Sequence, residues 1–78
     1  MNKHNNEKNE YEEIYLKYLD NLYRVAVSMT QDQVDAEDLV EDTFLRAFSF
    51  FHKYKRGTNI KAWLFKIMHN LFINKYRK

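Results

Sequence analysis

The sequence predicts an all-α domain, a compact bundle of three helices. Three observations predict it. The 78 residues include no proline and a single glycine, which disfavours a turn-rich β architecture and leaves long helices uninterrupted. Apolar residues recur at spacings of three and four in three successive stretches. Between those stretches lie Thr, Asp and Asn residues of the kind that cap helix ends.

The polar run Met1–Lys8, rich in Asn and Lys, is expected to be a disordered lead-in to a domain spanning residues 9–78. A first helix is predicted from about Asn9 to Met29. Its stripe is Tyr11, Tyr15, Tyr18, Leu22, Val25, Ala26 and Met29, and Glu10, Glu12 and Glu13 complement its dipole. Thr30-Gln31-Asp32-Gln33 breaks the stripe and supplies cap side chains. The second helix, from Asp32 or Val34 to Phe51, turns Ala36, Val40, Thr43, Phe44, Ala47, Phe48 and Phe51 inward. His52 to Gly57 forms a basic, aromatic connector whose glycine suits a helix C-terminus or loop. Thr58 or Asn59 then caps a third helix from Ile60 to about Tyr76, with Ile60, Trp63, Leu64, Ile67, Met68 and Leu71 as its stripe. Leu22, Val40, Phe44, Phe48, Trp63, Leu64 and Ile67 are expected to meet in one core. Phe50, Phe65, Phe72 and Tyr76 fall off or at the edge of these stripes, and either close the core from the side or offer stacking and partner surfaces.

Composition narrows the function classes. Zero cysteines remove disulfides, thiolate metal sites and cysteine nucleophiles together. His4, His52 and His69 stand far apart, none at metal-ligand spacing with another His, and one glycine cannot build a phosphate-cradling loop. Asp38, Glu41 and Asp42 could form a carboxylate cluster, but dipole stabilisation and a solvated face explain acids early in a helix more simply. No enzyme, cofactor or metal site is expected. Apolar runs are too short to span a bilayer, and the first residues lack a signal peptide's hydrophobic core, so a cytoplasmic protein is expected.

Charge is segregated along the chain. Residues 1–42 hold four basic groups and all eleven acids, a net of −7. Residues 43–78 hold nine basic groups and no acid, a net of +9. Attraction between the halves contributes, yet cations without local carboxylate partners also mark a polyanion-binding face. On the third helix Asn59, Lys66, Asn70, Asn74 and Arg77 recur on one side, away from the apolar stripe. Amides and cations are the groups that read base edges and neutralise phosphates. The connector interleaves Lys53, Lys55 and Arg56 with Tyr54, whose ring either stacks an unpaired base or packs on the core.

The residues also resemble a family. AEDLVEDTFLRAF, Ala36 to Phe48, resembles the signature of region 2 of bacterial RNA polymerase sigma factors. KAWLFKIMHN, Lys61 to Asn70, resembles the segment that follows it there, and Asn74 with Arg77-Lys78 resembles the run that closes the region. Order and gap also match, from about Tyr11 to the end, and the short chain is most similar to the extracytoplasmic-function (ECF) group.

The resemblance implies a sigma factor domain that takes part in transcription initiation. Asp38, Leu39, Glu41, Asp42 and Leu45 would dock on the clamp helices of the polymerase largest subunit. Lys53, Tyr54, Lys55, Arg56 and Asn59 would capture a flipped base of the minus-ten non-template strand. Lys61, Lys66, His69, Asn70, Asn74 and Arg77 would read and help melt that element. An anti-sigma factor is a further partner the family admits, and nucleoid association would follow through polymerase. Glu41 stands where the family usually has Gln, which adds charge to the docking helix. Asn74 stands for the usual Asp, which removes a carboxylate from the DNA side. No helix-turn-helix for the minus-thirty-five element follows, so the chain is either part of a longer sigma factor or a short protein, and weak promoter binding alone is expected. Two other classes stand beside this one: a generic helical DNA-binding module, and a protein-interaction module that never touches DNA.

Overall fold

Each apolar stripe becomes one helix. The computed structural model describes the backbone of residues 3–53 and 59–76, with side chains from residue 9 onward. Helix α1 spans Lys3–Thr30, α2 spans Gln33–Phe50, a single 3₁₀ turn covers Phe51–Lys53, and α3 spans Ile60–Tyr76. At 1.5 Å per residue the 28 residues of α1 account for the molecule's longest dimension, 42 Å. Helix α2 lies between the other two, which meet each other less extensively.

The first helix begins earlier than the sequence suggested. Its backbone is helical from Lys3, so Lys3–Lys8, expected as a disordered lead-in, continues α1. No Pro or Gly interrupts this run, and polar Glu, Lys and Asn residues suffice to extend a helix already anchored further along. Termination is local. The Thr30 hydroxyl donates to the Ala26 carbonyl at 2.9 Å, and Gln31 adopts φ 57°, the left-handed position that ends many helices. Asp32 then caps α2, its Oδ1 accepting from the Asp35 N–H at 2.9 Å. Asn59 does the same for α3, accepting from the Ala62 N–H at 3.1 Å. The alternative cap Thr58, and Gly57 of the connector, lie outside the described residues.

The core joins Leu22 and Ala26 of α1, Ala36, Leu39, Val40, Phe44 and Ala47 of α2, and Leu64 and Met68 of α3. Thr43 is also buried, and its hydroxyl donates to the Leu39 carbonyl at 2.7 Å, which satisfies the one polar group α2 turns inward. Trp63 and Ile67 are partly buried against this cluster, as are Phe65 and Phe72, two of the off-stripe aromatics. Two residues of the predicted apolar stripes are not inside. Val25 lies at the solvent edge of α1, and Phe48 is 51% exposed, because α1 covers only one flank of α2 there.

Tyr11 pins the N-terminal half of α1 to α2. Its ring lies 5.1 Å from Phe48 and 5.2 Å from Phe51, and its hydroxyl donates to the Phe44 carbonyl, 33 residues away. Burial, with a smaller contribution from the Tyr15 phenol, pushes the Tyr11 phenol above its ordinary value of 10.0. A raised pKa, that is a weaker acid in the folded chain, favours the folded state while the phenol is neutral. The stabilisation is full below about pH 10 and is lost as pH rises past it, where the unfolded chain ionises first. Thermal melts between about pH 9 and pH 11 should show this loss, and Tyr11→Phe should flatten it while costing about 1 kcal/mol at neutral pH.

Candidate nucleic-acid and protein interfaces

Helix α2 presents an acidic strip on the side away from its buried stripe. Asp38, Glu41 and Leu45, at spacings of three and four, are all exposed, with Leu45 62% so. Leu39 does not join them. It is fully buried, because the inward stripe Ala36, Leu39, Val40, Thr43, Phe44, Ala47 passes through it. Asp42 is half-buried on the flank that faces α3, and its carboxylate lies 3.7 Å from the Lys75 Nζ. That ion pair joins the acidic and basic halves of the chain directly, and with both side chains about half exposed it adds little stability.

The strip borders a groove that single-helix periodicity does not reveal. Tyr11, Glu12 and Tyr15 of α1 and Glu41, Phe44, Leu45 and Phe48 of α2 line an open hollow of about 550 Å³. Its floor is aromatic and its two charged groups are both carboxylates. Its four aromatic residues read in the sequence as inward stripe residues of two separate helices, and the aromatics that fall off the stripes, Phe50, Phe65, Phe72 and Tyr76, do not line it.

The basic surface lies on α3 and its approach. Lys53 is exposed in the 3₁₀ turn with its Nζ 5.7 Å from the centre of the Phe50 ring, a cation–π arrangement. Lys61 is exposed, 5.9 Å from the centre of the Phe65 ring. Lys66, His69, Asn70 and Asn74 are exposed along α3, and Lys66, Asn70 and Asn74, each four residues apart, fall in one row. Asn59 is exposed, but its carboxamide oxygen is engaged in the helix cap. Tyr54, Lys55, Arg56 and Arg77 lie outside the described residues. Asn70 and Asn74 also border a smaller hollow with Arg46, Phe50, Ile67 and Leu71.

Among the described residues no three His, Cys, Asp or Glu side chains come together to hold a metal ion. No described helix is long and apolar enough to cross a membrane. The chain matches the Sigma-70 region 2 family over residues 14–78. It belongs to that family. It is similar to the ECF RNA polymerase sigma factor SigM of Bacillus subtilis, 43% identical over 67 residues that cover 86% of this chain and 40% of that protein. It is also similar to the ECF RNA polymerase sigma factor SigE of Mycolicibacterium smegmatis, 37% identical over 68 residues, 87% of this chain and 26% of that one. A third relative is the ECF RNA polymerase sigma factor EcfG of Rhodopseudomonas palustris, 43% identical over 53 residues, 68% of this chain and 29% of that one. The region 2 chain thus spans 40% or less of the length of these three relatives. All three helices fall within the region 2 match, α1 from Ile14 onward.

Proposed function

We propose that this chain acts in bacterial transcription initiation as the part of an ECF sigma factor that joins RNA polymerase to the promoter minus-ten element. Asp38, Glu41 and Leu45 dock on the basic clamp helices of the polymerase largest subunit. Lys53, Lys61, Lys66, His69, Asn70 and Asn74, together with Tyr54, Lys55, Arg56 and Arg77 of the same basic half of the sequence, hold the non-template strand and help to melt it. The role is one of binding, carried out in the cytoplasm where polymerase works.

The observation that carries this proposal is the separation of opposite charges onto different helices. Exposed acids gather on α2 and exposed cations and amides on α3, so one small domain can touch a basic protein and a polyanion together. A domain that bound DNA alone would gain nothing from the acidic strip.

The test compares a minus-ten sequence as single-stranded non-template DNA and as duplex, with core polymerase present. Single-stranded DNA is expected to bind more tightly, because unpaired bases can stack and expose their edges. Binding should weaken steeply with salt, and Lys66→Ala should reduce the salt slope by about one contact. Equal affinity for both forms, with no effect of Lys66→Ala, would overturn the DNA half of the proposal.

A further inference from the structure

The α1–α2 groove and the outer side of α3 carry complementary chemistry within one chain. In the groove Phe48 and Leu45 are exposed apolar residues beside an aromatic floor. Glu12 of α1 and Glu41 of α2 line it and are exposed, and among the described residues neither forms an ion pair. Helix α3 shows the reverse pattern. Lys61, Ala62 and Lys66 are exposed around Phe65, whose half-buried ring has its centre 5.9 Å from the Lys61 Nζ. Positions 61, 62, 65 and 66 are neighbours on one side of a helix, so they form a ridge with an apolar middle and two cations. No acid follows Asp42 in the sequence, and among the described residues neither lysine is paired.

We infer that the groove takes the α3 ridge of a second copy of this chain. Phe65 and Ala62 lie against Phe48 and Leu45, while Lys61 and Lys66 reach the two glutamates. The mode is a helix laid in an apolar groove, with opposite charges on either side to fix its register. The lysine stems and the phenyl ring supply apolar area that a bare cation lacks. The chain's own α3 is not the occupant, because it packs on α2 and lines no part of the groove. Every copy brings both halves of the contact, as the −7 and +9 halves of the sequence require. Two different surfaces meet, so the contact is heterologous. It covers Glu41 and Leu45 of one copy and Lys61 and Lys66 of the other, and a polyanion that takes the lysines dissolves it by mass action. The inference does not rest on the proposed function.

The test is sedimentation equilibrium of the 78-residue chain without DNA or polymerase, so its outcome is separate from that of the proposed function. In about 50 mM salt the mean mass should rise above the 9.6 kDa of one copy as concentration increases, and in about 500 mM salt it should return to that value. Glu12→Lys with Glu41→Lys should weaken association about ten-fold or more, and so should Lys61→Glu with Lys66→Glu. Mixing these two variants in equal amounts should restore it, which an unfolded variant could not do. Asp20→Lys with Glu37→Lys makes the same change in net charge at exposed positions outside the groove, and should leave association nearly as in the parent. A chain that stays at 9.6 kDa up to about 1 mM in low salt would overturn the inference. So would an equal loss in the Asp20 and Glu37 variant, or a mixture that fails to associate, since either leaves only diffuse attraction between unlike halves.

Discussion

Replacing Asp38 and Glu41 together with lysine should abolish capture of core RNA polymerase while leaving the far-UV helical spectrum unchanged. Both side chains are exposed, three residues apart on α2, and neither lies in its first turn, where Asp35 supplies the charge that the dipole favours. Their loss should therefore cost the fold little. Against a basic partner the exchange converts two attractions into two repulsions, and like-charge juxtaposition at an interface costs several kcal/mol. The expected loss is on the order of 100-fold or more in affinity. Asp42→Lys should do less, because Asp42 is half-buried and already faces Lys75. Leu45→Ala and Phe48→Ala should weaken capture by removing exposed apolar surface beside the acids, without a change in salt dependence. Undiminished pull-down of core polymerase by the double lysine variant would remove α2 as the docking surface.

Helix boundaries that depend on local chemistry were legible in the sequence. Asp32 and Asn59 cap α2 and α3 because a short polar side chain ahead of an apolar stripe can reach an amide three residues on. The start of α1 was not, since a polar run without Pro or Gly carries no stop signal and its helicity depends on what anchors it downstream. Phe48 follows Phe44 by one turn and so fits the inward stripe on spacing alone. Its exposure is decided by how far α1 reaches across α2, which periodicity within one helix cannot report. The same limit hid the groove, because Tyr11 and Phe44 are 33 residues apart and meet only through tertiary packing. The hollow at Arg46 and Phe50 likewise needs both helices to be placed. Leu39 is different. Its place three residues after Ala36 and four before Thr43 fits the inward face, but the stripe read from the sequence passed over it, and the resemblance placed it on the docking surface with its exposed neighbours.

Burial of Leu39 leads to the other large effect. Leu39→Ala removes a fully buried side chain and leaves a cavity between helices, at a cost of about 2–5 kcal/mol. Small domains hold little more than the lower end of the usual 5–15 kcal/mol, so the melting temperature should fall by roughly 10 °C or more. Polymerase capture should then decline with the folded fraction, and a binding assay alone would mistake this for loss of a contact. Leu39→Met separates the two causes. It keeps the volume and apolar character of the site and should cost less than about 1.5 kcal/mol, so capture should survive. At temperatures where Leu39→Ala is still folded by circular dichroism, it should capture polymerase as well as the parent. If that variant melts like the parent and yet fails to capture polymerase, Leu39 makes direct contact with the partner, and α2 must turn a different face inward when it binds.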